Sequence, residues 1–112
     1  MSLFKIRREV MLALEAYVRA SFHERMVSRM LENHEETASA LGDERLRDEV
    51  ERGIHKAINY GIMNEADIES FLDMLFVRGF DFDVHEEHAR RILNNKKMTG
   101  ASKIGFLTQL ME

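Results

Sequence analysis

Apolar residues recur every three or four positions along nearly the whole chain, which is the spacing of helix faces. The two-residue alternation of a half-buried strand hardly occurs, and β-branched residues are few. A first helix is predicted from about Phe4 to Asn33. Ile6, Val10, Leu14, Val18, Phe22, Met26 and Met30 mark it every four residues, and Ala13 and Tyr17 widen the stripe. A step of four overshoots the turn of about 3.6 residues, so the stripe drifts around the axis. Such a helix should meet several partners in succession. Glu35 to Leu41 reads as a connection.

A second helix is predicted to start at Asp43, its N-cap, with Leu46, Val50, Ile54, Ala57 and Ile58 as its stripe. Gly61, after Tyr60, is its natural end, because glycine accepts a left-handed backbone. A third helix is expected to be capped by Asn64, with Glu65 and Asp67 in the first turn. Met63 and Ile68 stand at the two positions of a hydrophobic staple. Ile68, Phe71, Leu72 and Leu75 form one face, and Met74, Phe76 and Val77 add apolar groups on other sides. A helix apolar nearly all round is buried nearly all round, so this one is expected at the centre, ending at Gly79.

Asp83 and Glu86 have the spacing of a capping box, which predicts a fourth helix from Val84 to about Asn94 with Ala89, Ile92 and Leu93 inward. NNKKMTGAS reads as a loop, and Ser102 as the cap of a fifth helix, Lys103 to Met111, with Ile104, Leu107 and Leu110 inward. The predicted fold is all-α, one domain spanning 1–112. It is a bundle of about five helices with a long N-terminal helix and a buried central third helix.

Composition adds boundaries. With 112 residues, 45% hydrophobic and 32% charged, the chain can bury a core of its own. It has no cysteine, which excludes disulfides, thiolate metal sites and cysteine catalysis. Proline is absent as well. No apolar run approaches a membrane span, and Glu9 and Glu15 interrupt the early apolar stretch that a signal peptide would need. A cytoplasmic location is expected.

The net charge of −4 is unevenly spread. Residues 43–88 carry five basic and thirteen acidic groups, whereas residues 89–112 carry five basic and one acidic. That distribution argues against a nucleic-acid binder, which needs a coherent basic face, and favours an acidic face for a basic partner. Glu65, Glu69 and Asp73 lie along one edge of the third helix at spacing four. There like charges disfavour the helix by about 0.2–0.5 kcal/mol per pair. A protein partner would account for that ridge, as would an ordinary solvated edge.

Candidate chemistry concentrates in Asp81 to His88. Asp81, Asp83, His85 and His88 include competent transition-metal ligands, and the two histidines can share a helix face. The spacing matches no established metal motif. His-Glu-x-x-His fails at Ala89, a calcium loop fails at Glu86, and no Glu-x-x-His occurs in the segment. Helix capping and solvation are the simpler reading. Phe80 and Phe82 are expected to close the core rather than to display anchors. His23, His34 and His55 are scattered, with no serine or acid at a catalytic spacing. Gly-rich phosphate loops are absent. No enzyme activity and no cofactor are implied.

The run FHERM, followed by LGDERLRDEVERGIHKAINYGIMNEADIESFLDMLFVRGFDFD, resembles a family of small helical bacterial proteins often encoded beside type VI secretion spike or toxin genes. The resemblance rests on Phe22, Arg25 and Met26, on Leu41-Gly42 with Leu46-Arg47, on Gly53-Ile54, Ala57 and Tyr60-Gly61-Ile62, and on the order of residues from Leu72 to Asp83. It covers roughly residues 20–93. Members of that family carry prolines, often a Pro-Trp after the Phe-Asp, where this chain reads HEEHARRIL. The resemblance implies an immunity protein, adaptor or chaperone.

Three functional expectations result. The first is a non-enzymatic module that binds a toxin or spike component through Glu65, Glu69 and Asp73. The second is a metal-binding protein using Asp81, Asp83, His85 and His88. The third is a structural homodimer, in which the drifting stripe of the first helix completes its core across a two-fold axis.

Overall fold

The computed structural model describes residues 3–111, with side chains from Arg8 to Met111. Helix order is α1 (Leu3–Asn33), α2 (Glu35–Leu41), α3 (Asp43–Asn59), α4 (Glu65–Arg78), α5 (Phe82–His85), α6 (Glu87–Leu93) and α7 (Gly100–Met111). The all-α expectation holds for the described residues. The count of five helices does not, and two segments account for the difference.

Glu35–Leu41 is a helix, not a connection. Glu35 and Glu36 sit in its first turn, where the helix dipole favours negative charge, and Ala38 is buried. So short a helix cannot stand alone; its packing against α1 and α3 supports it. The expected fourth helix is two helices, because Asp83 does not cap. Its carboxylate turns into the protein, and the backbone is extended at Glu86, where α5 gives way to α6. Two further caps differ. Gly42 occupies the N-cap of α3, while Asp43 reaches forward to Arg47 at 3.2 Å. Thr99, not Ser102, caps α7 by accepting from the Ser102 amide at 3.1 Å.

The expected central helix is α4. Ile68, Phe71, Leu72, Met74, Leu75 and Phe76 are all buried on it, and it packs against α1, α3 and α7. Burying a side chain such as Phe71 or Leu72 stabilises the fold by about 1.5–3 kcal/mol. Val77 is an exception, 69% exposed, so the end of α4 is not covered all round. The Asn64 cap forms as expected, its Oδ1 accepting from the Ala66 amide at 2.9 Å. The staple does not, since Met63 stays in solvent. Gly61 takes φ +85°, which lets the chain leave α3. Gly53 marks the close approach of α3 to α4: a Cβ there would stand 2.8 Å from Leu75 Cδ1 and still nearer Leu72. Phe82 is buried and meets Phe71 at 5.8 Å, and Phe80 packs edge-on against Phe76 at 5.1 Å. Both aromatics close the core.

The helix α1 divides into two parts. Met26, Val27 and Met30 are buried against the bundle, with Phe22 packed at its edge. From Arg8 to Ala20 every residue is exposed. The stripe positions Val10, Leu14 and Val18 therefore do not join the core of their own chain, and on α7 Leu110 is 48% exposed. The projecting half of α1 accounts for a longest dimension of 56 Å and a radius of gyration of 16.2 Å. A globular chain of this length would have a radius of about 13 Å. No helix among the described residues is long and apolar enough to cross a membrane.

Candidate functional site

The segment from Asp81 to His88 contains the most buried charge in the described structure. Asp83 is 1% exposed. Its Oδ1 accepts from Lys56 Nζ at 2.8 Å, and its Oδ2 accepts from the Tyr60 hydroxyl at 2.6 Å. Lys56 in the last turn of α3 and Tyr60, its C-cap, are four residues apart, so both donors are presented on one side to the α4–α5 turn and α5. Lys56 also donates to the Phe80 carbonyl at 2.9 Å and to Asp81 Oδ1 at 3.2 Å. Arg52, one turn earlier on α3, donates to Asp81 at 2.7 Å. From the other side Lys103 of α7, itself buried, donates to the Tyr60 carbonyl at 2.6 Å. The network therefore ties α3, α5 and α7 together. Among the described residues no buried side-chain polar atom lacks a partner.

These contacts shift two of the groups. Burial first, and then the hydrogen bond to Asp83, push the Tyr60 phenol well above its ordinary value. Asp81 is held below the usual carboxylate range, first by the hydrogen bond from Lys56; burial opposes this, and the hydrogen bond and charge of Arg52 add to the lowering. Asp81 thus contributes stability above its unfolded value, and that contribution disappears as pH falls through the lower folded value.

The four candidate metal ligands are not brought together as a set. Asp81 and Asp83 face cations, and His85 and His88 are exposed. Among the described residues no group of three or more His, Asp or Glu side chains is placed to hold a metal ion. Asp83, expected to cap a helix at the surface, is instead a buried acceptor of two strong hydrogen bonds.

The acidic edge of α4 is straight, but it is not bare. Arg25 meets Glu65 at 3.2 Å, Arg29 meets Glu69 at 3.0 Å, and His34 meets Asp73 at 2.8 Å. Two cations and one histidine of α1 and the α1–α2 junction therefore match the three carboxylates in order. The His34 ring also stacks on Phe76 with centroids 5.7 Å apart. The acidic ridge seen in the sequence is a seam between α1 and α4. Arg25 and Arg29 also recur every four residues in the sequence; the signal was present there but attached to no partner.

A groove lies between α1, α3 and α4, above the point where α1 leaves the bundle. It has a volume of about 580 Å³. Val18, Phe22, Ile54, Ile58, Met63 and Ile68 give it an apolar lining, and its polar lining combines Glu51 and Glu65 with Arg19, His23 and His55. Ile58 is 42% exposed and Met63 69%. Sequence reading placed Ile58 in the core and missed this groove, because the stripe of α3 is wider than the surface that α1 covers.

The fold and its surfaces define a helical bundle with an internal polar lock and an open apolar groove. In comparisons with known families, curated proteins and solved structures, no family model, curated protein or solved structure matches the chain.

Proposed function

We propose that the protein is a non-enzymatic protein-binding module. It acts as inhibitor or loading adaptor for a secreted bacterial toxin or secretion-spike component. The observation that carries the reading is the groove between α1, α3 and α4, an apolar concavity in the bundle itself that leaves Ile58 and Met63 in water. Exposed apolar surface rimmed by polar groups is the mark of an interaction site. The occupant suited to it is an amphipathic helix laid along the groove, its apolar anchors on the lining residues and basic side chains at Glu51 and Glu65. Of the three carboxylates expected to meet a partner, Glu65 is at this rim and is 66% exposed despite Arg25. Glu69 and Asp73 act indirectly, holding α1 against α4 and so fixing one wall of the groove. The class of partner comes from the resemblance of residues 20–93.

The test is affinity purification of the tagged protein from its native host, beside a Met63→Arg, Ile58→Arg variant. The expected result is a toxin or spike protein recovered with the wild type and lost from the variant, with the melting temperature unchanged. A partner retained equally by both would remove the groove from the mechanism. No toxin or spike protein recovered under conditions where they are expressed would defeat the reading.

A further inference from the structure

The projecting half of α1 carries a second, separate surface. Val10, Met11, Leu14, Tyr17 and Val18 are 53%, 58%, 58%, 72% and 57% exposed. At about 100° per residue these five side chains share one face roughly 120° wide. Arg8 and Glu15, seven residues apart, stand together on one edge of that face, and Val10 and Tyr17 form the other edge.

This face is turned away from the chain's own core. Each step of four residues rotates the stripe by about 40°. Met26 is buried against the bundle, and Val10 lies four such steps earlier, about 160° around the axis. The bundle therefore cannot cover Val10 and Leu14 even where α1 passes near it, while Val18, two steps from Met26, stands at the edge of the groove. Whatever covers them must approach from outside.

We infer that the occupant is a second copy of the chain, with the two projecting helices antiparallel about a two-fold axis between Met11 and Leu14. Charge placement decides the orientation. In an antiparallel pair each edge of the seam meets the same edge of its partner, and in a parallel pair it meets the opposite edge. When Met11 packs across from Leu14 of the second copy, Arg8 falls beside Glu15 of that copy, and Glu15 beside its Arg8. On the other edge Val10 meets Tyr17. Two ion pairs and an apolar flank are formed at once. A parallel pair would put the Arg8–Glu15 edge against Val10 and Tyr17 and form no ion pair across the seam. The interface is isologous, so it closes at two copies. Residues 8–20 span only about 20 Å of helix, so the dimer forms with modest affinity. The groove between α1, α3 and α4 lies outside this seam except at Val18, so either surface can fail without the other.

Sedimentation of the full chain across protein concentration is the first test. A mass of twice 13.1 kDa is expected at high concentration, falling to that of a single chain on dilution. Leu14→Glu, at an exposed position, should abolish the dimer and leave the helical melt unchanged. Arg8→Glu or Glu15→Arg alone should weaken dimerisation several-fold, and the double exchange should restore it to within about twofold. The chain lacks cysteine, so single cysteines report the register directly. Mixed Met11→Cys and Leu14→Cys chains should form the hetero-disulfide faster than either forms its homo-disulfide. Preferred homo-disulfides would overturn the antiparallel pairing. A single-chain mass at every concentration would overturn the dimer, as would a chain that stays monomeric while co-sedimenting with phosphatidylglycerol vesicles.

Discussion

The two halves of α1 carry one hydrophobic stripe, and only one half has found its partner within the chain. Met26, Val27 and Met30 are 4%, 5% and 0% exposed, while Val10, Leu14 and Val18 are more than half exposed. The residue types are alike and the spacing is alike. The difference is direction, since a four-residue repeat turns steadily around the helix and the bundle occupies only one side. Apolar periodicity thus shows that a helix has a face to bury. It does not show whether the burial is within the chain.

The sharpest contrast comes from charge rather than from apolar surface. Lys56→Met removes the cation from Asp83 and leaves a buried carboxylate with only the Tyr60 hydroxyl. Breaking a buried pair by removing one member costs about 3–5 kcal/mol, so urea denaturation should show a loss of that order. The same change from cation to Met at Arg19, on the projecting half, should be within about 0.5 kcal/mol of wild type. Equal losses at the two sites would remove the distinction between a buried lock and a free arm.

Tyr60→Phe tests the other half of the lock. Asp83 Oδ2 loses its hydroxyl donor, and a loss of about 1–3 kcal/mol is expected at neutral pH. The pH dependence has a definite sign. The folded phenol titrates above its unfolded value of 10.0, so its contribution is complete below pH 10. It is lost as pH rises toward the folded value. The stability gap between wild type and Tyr60→Phe should therefore be constant from neutral pH to about 10 and narrow above it. A gap that widened with pH would mean that the hydroxyl does not donate to Asp83.

The seam between α1 and α4 should respond less. Arg29 is 53% exposed in its pair with Glu69, and exposed pairs contribute about 0–1 kcal/mol. Arg29→Ala should cost no more than that, and the cost should shrink in high salt. A larger, salt-independent loss would show that the alkyl stem of Arg29, not its charge, holds the helices together.

Much of the architecture was legible, for reasons that also explain the errors. The α4 helix announced its centrality through six inward apolar residues, and Asn64 and Gly61 marked boundaries by local chemistry that no distant contact overrides. Asp83 failed as a predicted cap because its local spacing to Glu86 was outweighed by Lys56 and Tyr60, more than twenty residues away, which the sequence does not place. Glu35–Leu41 failed because its polar residues carry the first turn of a helix while only the buried Ala38 and the half-buried Leu41 fix it, too little to register as a stripe. At the candidate site, charge at Glu65, Glu69 and Asp73 was legible and its pairing was not. The groove was invisible, because it is formed by the absence of a neighbour above Ile58 and Met63.

The smallest expected effect is also the most direct reading of the two halves of α1. Val10→Ser removes an exposed apolar side chain whose position on the helix points away from the bundle. In dilute solution, where the chain is single, its thermal or urea melt should coincide with wild type within about 0.5 kcal/mol, the small difference reflecting helix propensity alone. Met30→Ser, on the same stripe but fully buried, serves as the reference and should lose at least several-fold more. As concentration rises the Val10 variant should fall behind, because wild type gains stability from association by mass action and the variant gains less. A deficit already present in dilute solution would place Val10 against its own chain, and the projecting arm would then be part of the bundle after all.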